Sequence, residues 1–162
     1  MNRRWVVNTS PLIILSRVSH ISLIHEMCKD MVIPAAVAKE INEGPSDDPA
    51  KIWLNDQGKK WIKETGSLDP LIAAWDLGAG ESQVISWAYR NIGYEVILDD
   101  RAARKCALSL KIPVRGTIGI ILLAHKEKRL ANAKHLLEQL IKIGFRIDPE
   151  ILESALRLIE SD

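Results

Sequence analysis

The chain has 162 residues, a usual length for one domain, and 47% of them are hydrophobic, enough for a core. Its formal net charge of +1 singles out no partner. No apolar run approaches a membrane span and the N-terminus lacks the apolar region of a signal peptide, so the expected setting is the cytoplasm, without a membrane.

In chain order, residues 5–7 read as a short buried strand. Thr9 or Ser10 is expected to cap the next helix, with Pro11 in its first turn and Leu12, Ile13, Leu15 and Val18 on its apolar face. Ile21, Leu23, Ile24 and Met27 continue into a second helical segment. Residues 31–33 form the second strand, stopped by Pro34, and a helix runs over 35–42. A loop at 44–49 leads to a short helix over 50–55 and a strand over 61–64. Residues 65–80 carry Gly66, Pro70, Gly78 and Gly80 and read as turns. Glu81 opens a helix through Arg90, with Val84, Ile85 and Ala88 as its buried stripe. A strand over 95–98 ends in Asp99-Asp100, a helix covers 102–110, and 113–114 is a short strand. Gly116-Thr117 turns into an apolar helix over 118–125, and amphipathic helices follow over 133–143 and 149–159, separated by Gly144. The alternation predicts an α/β fold: one short parallel sheet between helices, with right-handed crossovers. Residues 1–162 are expected to form one domain, with the helices of 131–162 packed on it.

Asn8, Glu40, Glu81 and the Asp99-Asp100 pair each fall where an apolar run gives way to a helical pattern. In such a fold, strand ends and helix starts collect at one edge of the sheet. Carboxylates gathered there repel one another unless a cation joins them. Carboxylate and carbonyl oxygens suit Mg²⁺ or Mn²⁺, and a hard cation among carboxylates is the usual apparatus for cutting or transferring phosphate esters. Each position also has a plain structural role. Glu81 favours a helix dipole by about 0.3–1 kcal/mol, Glu40 suits a helix surface, one Asp of the pair caps a helix, and Asn8 suits a turn or cap.

Cys28 and Cys106 make no zinc spacing and read as reduced core residues; the four histidines make no HxH or HExxH pattern. Five Trp against one Phe reads as packing, with base stacking as the alternative. Residues 26–100 hold 14 acids and 7 bases, whereas 101–129 hold 8 bases and one acid. A basic segment beside an acidic cluster suits a polyanion held next to a metal site; solvated helix faces would give the same pattern.

The residues around the polar positions carry a family resemblance. Trp5-Val6-Val7-Asn8-Thr9-Ser10-Pro11-Leu12-Ile13 resembles the start of a PIN domain, in particular the compact branch known as DUF3368. Val32-Ile33-Pro34-Ala35-Ala36-Val37-Ala38-Lys39-Glu40-Ile41 resembles its second motif, Leu77-Gly78-Ala79-Gly80-Glu81-Ser82-Gln83 its third and Ile97-Leu98-Asp99-Asp100-Arg101-Ala102-Ala103-Arg104 its fourth. Arg115-Gly116-Thr117-Ile118-Gly119 and the tail Gly144-Phe145-Arg146-Ile147 follow in place. Order and spacing, over nearly the whole chain, make the set specific.

The resemblance implies a ribonuclease that hydrolyses phosphodiesters with water activated by one or two Mg²⁺ or Mn²⁺ ions held among Asn8, Glu40, Glu81, Asp99 and Asp100. Asp100 is the preferred motif acid and Asp99 a neighbour able to bind the same metal; which of them caps and which coordinates stays open. Glu81 stands where PIN domains at large carry Asp. Asn8 stands where active PIN nucleases usually carry Asp, and offers a carbonyl oxygen without charge. Thr117, Arg101, Arg104 and Arg115 are candidates to hold substrate phosphate, with helix capping open for Thr117 and neutralisation of the acids open for the arginines. The resemblance further implies RNA as substrate, a toxin role in a toxin–antitoxin pair with an antitoxin protein as partner, and a homodimer, for which helices 12–18 and 118–124 are candidate surfaces, with a pure core role equally open. The alternative is a module that holds nucleic acid or protein without cutting, because Asn8 replaces Asp. A third reading, another Mg²⁺-dependent phosphohydrolase, is disfavoured by the lack of a GxxxxGK[ST] loop.

Overall fold

Trp5, Val6 and Val7 are all fully buried, although successive strand residues point to opposite faces. Both faces of the strand that holds them are therefore covered. That strand, β1 (Arg4–Val7), is the centre of a five-stranded sheet. It pairs in parallel with β2 (Asp30–Pro34) on one side and β4 (Tyr94–Ile97) on the other. β3 (Ile62–Lys63) and β5 (Val114–Arg115) are the edges, giving the order β3-β2-β1-β4-β5 with every pairing parallel. The computed structural model describes residues 2–161.

Helices fill every crossover. α1 (Thr9–Arg17) and α2 (Ser22–Met27) join β1 to β2, and α3 (Ala35–Asn42) and α4 (Pro49–Asn55) join β2 to β3. α5 (Pro70–Ala73) and α6 (Ala79–Arg90) lead to β4, and α7 (Arg101–Ser109) leads to β5. α8 (Thr117–Lys126), α9 (Ala133–Lys142) and α10 (Pro149–Glu160) follow, and α9 and α10 pack on α8. Three of the starts are Asp-Pro steps. Asp48, Asp69 and Asp148 each accept a backbone N–H two residues on, and the proline sits at the first helical position. The aspartate satisfies an orphan donor and the proline has no N–H to orphan.

The third strand is shorter than its apolar run suggests, because Trp61 belongs to a 3₁₀ turn (Gly58–Trp61). The turn-rich stretch 65–80 contains the helix α5, which Asp69-Pro70 starts despite the surrounding glycines. The two helices named as candidate dimer surfaces give part of their apolar residues to the core. Leu12, Leu15, Val18, Ile120, Ile121 and Ala124 are all buried.

Trp5, Trp53 and Trp61 act as packing groups. Trp5 donates Nε1 to Glu95 Oε1 at 2.8 Å, and Arg115 donates Nε to the same oxygen at 3.0 Å, tying β1, β4 and β5 across the sheet. Trp61 stacks between His25 (centroids 5.2 Å apart) and Trp53 (5.8 Å). A Cβ on Gly58 would stand 2.7 and 2.9 Å from carbons of the Trp53 ring. That ring is buried and stacked, so it has little room to yield. Gly58→Ala is expected to cost about 1–3 kcal/mol, read as a melting temperature lower by about 5 °C.

Burial holds the His25 imidazole below its ordinary value of 6.5, with Glu26 opposing and Lys60 adding to the shift. The unfolded chain therefore binds a proton on His25 at a higher pH than the folded one. This contribution to stability is complete above about 6.5 and is lost as pH falls from there through the folded value. Melting temperature should drop over that acid window, and His25→Phe, which keeps a ring on Trp61, should flatten the drop. Cys28 and Cys106 are buried free thiols, and burial pushes Cys28 up to about 12.

Candidate active site

The chain leaves β1 towards β2 and β3, then returns to lay β4 and β5 on the other side. The point where direction reverses lies between β1 and β4, and the carboxyl ends of the strands there form the crevice in which open α/β sheets place ligands. Asn8 sits at that point. Its backbone N–H bonds to Ile97 O at 3.1 Å, joining the end of β1 to the end of β4. Asn8 occupies the N-cap position of α1, yet its side chain makes no capping bond. The residue is 3% exposed and its Oδ1 has no hydrogen-bond partner.

Thr9 and Ser10 are not caps. They are the first residues of α1, and their hydroxyls reach carboxylates on other elements. Thr9 Oγ1 donates to Glu40 Oε2 at 2.5 Å, and Ser10 Oγ donates to Asp99 Oδ2 at 3.3 Å. Two consecutive residues after β1 thus address two acids, one from each half of the sheet.

Glu40 lies on α3 and accepts the Gly80 N–H through Oε1 at 2.9 Å. A Cβ on Gly80 would stand 2.8 and 2.9 Å from the two Glu40 carboxylate oxygens and 3.1 Å from Asn8 Oδ1. The amide oxygen of Asn8 and the carboxylate of Glu40 therefore close around one small space that only glycine leaves open. Glu81 is the next residue of α6, in its first turn. Its half-buried side chain folds back over Gly78, with Oε2 2.6 Å from where a Cβ there would be.

The Asp99-Asp100 pair divides. Asp100 is the exposed N-cap of α7 and accepts the Ala103 N–H at 2.9 Å. Asp99 turns to the N-terminus of α8, where Oδ1 accepts the Thr117 N–H at 2.8 Å and Oδ2 accepts Thr117 Oγ1 at 2.6 Å. Thr117 is fully buried and its hydroxyl does not cap its own helix; it holds Asp99. Arg104 donates Nη1 to Leu98 O at 2.9 Å and lies beside Asp99 over Gly116. Arg115 pairs with Glu95, not with the acids of the strand ends, and Arg101 is exposed. Asp99, Arg101, Arg104 and Arg115 line one cleft together with Lys105 and Arg146, two cations outside the candidate set.

Comparison with known families matches residues 4–161 to the family DUF3368, described as PIN domain. The chain belongs to this family. Comparison with curated proteins returns no match. PIN domains are generally nucleases and typically use divalent metal ions, so this PIN domain has a nuclease-like fold. No described helix is long and apolar enough to cross a membrane.

Does the residue set of this PIN domain suit a hard cation? Among the described residues no three His, Cys, Asp or Glu side chains stand together closely enough to hold an ion. The available donors are instead mixed oxygens. Asn8 supplies an amide carbonyl, Glu40 a carboxylate beside it, and Asp99 a second carboxylate reached from the same helix through Ser10. A buried acceptor left without a partner is costly, about 1–3 kcal/mol, unless an ion or water completes it. An orphaned carbonyl flanked by a carboxylate suits Mg²⁺ or Mn²⁺, which take oxygen donors. The residues fit such an ion in chemical type. Sequence reasoning missed Thr9 and Ser10 as holders of the acids. Their direct adjacency to Asn8 at a strand end was the available signal. It also missed Gly80, whose need for close approach depends on Glu40 from a distant helix.

Proposed function

We propose that this PIN domain is a metal-dependent endoribonuclease acting as the toxin of a toxin–antitoxin pair. The carrying observation is the unpartnered, buried Oδ1 of Asn8 beside the Glu40 carboxylate at the point where the sheet changes direction. Asn8, Glu40 and Asp99 would hold the ion. Glu81 makes no hydrogen bond among the described residues and is free to turn from Gly78 towards the same oxygens. When bound, a divalent cation supplies Lewis acidity to the attacking water and to the phosphate. The chain's own residues supply position. Thr9 fixes Glu40, Thr117 and Ser10 fix Asp99, and Arg104, held by Leu98 O, presents cationic charge beside Asp99 for a phosphate oxygen. Water adds to phosphorus, the bond to the leaving ribose oxygen breaks, and no covalent enzyme intermediate forms. The toxin reading rests on the resemblance of the motifs and brings with it an antitoxin protein, a second copy as partner and a cytoplasmic setting.

A second reading, a binding module that does not cut, is favoured by one feature. Asn8 carries no charge, so the site has one anion fewer than four acids would give. The test is cleavage of mixed short RNAs by purified protein with Mn²⁺, Mg²⁺ or EDTA, beside Glu40→Gln. The expected result is cutting that needs metal and falls at least about 100-fold in the variant. Binding of RNA without cutting would bring the second reading forward, and Asn8→Asp would then be the variant to assay for gained activity.

A further inference from the structure

A cleft of about 740 Å³ starts at Asp99 and runs away from the carboxylate edge between α7, β5, α8 and the segment that joins α9 to α10. Its walls carry Arg101, Arg104, Lys105, Arg115 and Arg146. Arg104 and Arg115 are engaged by Leu98 O and Glu95, whereas Arg101, Lys105 and Arg146 are exposed and make no ion pair or hydrogen bond among the described residues. The anions lining it are Asp99 and Asp148, and Asp148 is spent on capping α10. Between the cations the cleft is apolar, with Val114, Ile118, Leu122, Phe145 and Ile147 along it and Leu108 and Ile151 exposed at 60% and 53%.

We propose that this cleft is a nucleotide subsite that carries single-stranded RNA away from the cut phosphate, with Lys105 and Arg146 as its phosphate anchors. The inference rests on the nuclease reading and deepens it. A duplex presents phosphates outward and keeps its bases inside, so it would leave the apolar side chains of the lining uncovered. A single strand can turn phosphates to the cations and base faces to the apolar side chains. Asp99 belongs both to the cleft and to the candidate reaction site, so a strand in the cleft is continuous with the phosphate to be cut. Arg146 comes from the segment that joins α9 to α10, so that connection takes part in substrate binding.

The test is binding of labelled oligouridines, from about three to about twelve nucleotides, by fluorescence anisotropy in EDTA over a range of salt concentrations. Wild-type affinity should rise with length. In Lys105→Ala/Arg146→Ala the longer RNAs should bind about tenfold more weakly, and the slope of log K against log salt should flatten by about 1.4, near 0.7 for each lost phosphate contact on a single strand. Both side chains are exposed, so the melting temperature should not move. An unchanged slope and affinity overturn the proposal, as does a duplex of equal length that binds as tightly and shows the same loss. Variants that lose an acidic protein partner while keeping full RNA affinity also overturn it. The assay needs no turnover, so the two readings separate. Slope loss without any cutting keeps the subsite and removes the nuclease, and cutting without slope loss does the reverse.

Discussion

Gly80→Ala is expected to lower RNA cleavage about 100-fold while lowering the melting temperature by no more than about 5 °C. Gly80 is helical, and alanine is favoured over glycine in a helix by about 1 kcal/mol. Against this, the new Cβ would press within 2.8–3.1 Å of the Glu40 carboxylate and Asn8 Oδ1. Its neighbour is the far end of a flexible side chain, so Glu40 can swing away. The cost is then two bonds to Glu40, from the Gly80 N–H to Oε1 and from the Thr9 hydroxyl to Oε2, each worth about 0.5–1.5 kcal/mol, which the helical gain offsets in part. Activity has no such compensation, because displacement of a reacting group by about 1 Å can cost about 100-fold. The measurement is kcat/KM on a short RNA beside a thermal melt of the same preparation. A folded Gly80→Ala that cuts at the wild-type rate would remove Glu40 from the site.

Asp99→Ala is the second large effect, and it reaches stability as well as activity. Asp99 accepts both the N–H and the hydroxyl of Thr117, which is fully buried, and the hydroxyl of Ser10. Alanine would leave two buried donors of Thr117 unpaired at about 1–3 kcal/mol each. A loss of about 2–4 kcal/mol should appear as a melting temperature lower by about 10 °C. Thr117→Val on the Asp99→Ala background removes one orphaned donor, so the pair should couple, with the double variant more stable than the two single losses predict by about 1 kcal/mol. Stability is then partly rescued and cleavage is not. Additive losses would show that Thr117 does not depend on Asp99, and rescued cleavage would show that Asp99 acts only through packing.

The sheet and most helices were legible in the sequence because their apolar runs are short, regularly spaced and bounded by Pro, Gly and Asp. The α5 helix was not, since a single turn among glycines shows no periodicity and only its Asp69-Pro70 start betrays it. The candidate site was legible as a set of strand-end polar residues but not as contacts. Asp99 and Asp100 both follow a strand and precede a helix, so local pattern gives either one the cap. The choice is made by Thr117, which arrives only when β5 docks beside β4. Thr9 and Ser10 fit a helix start so well that capping was the natural reading, and it gave way to partners 31 and 89 residues distant. The uneven charge of residues 101–129 was visible and does contribute to a cleft, but Arg146 lies outside that segment and joins it only because the chain returns after α9.

The reversal of strand order has a consequence for how the protein comes into being. Asn8 and Glu40 belong to the part of the chain that ends at β3, and Asp99 and Thr117 to the part that begins afterwards. Neither portion owns both sides of the crevice. A ribosome that has released the first three strands has made one side of it, and the opposing acid is set only once Thr117 has emerged and bonded to it. For a protein proposed to cut RNA, this order delays the assembled edge until the start of α8 has been made. It also means that a chain severed in the 64–69 loop, between β3 and α5, becomes two pieces that must find each other before the edge is whole.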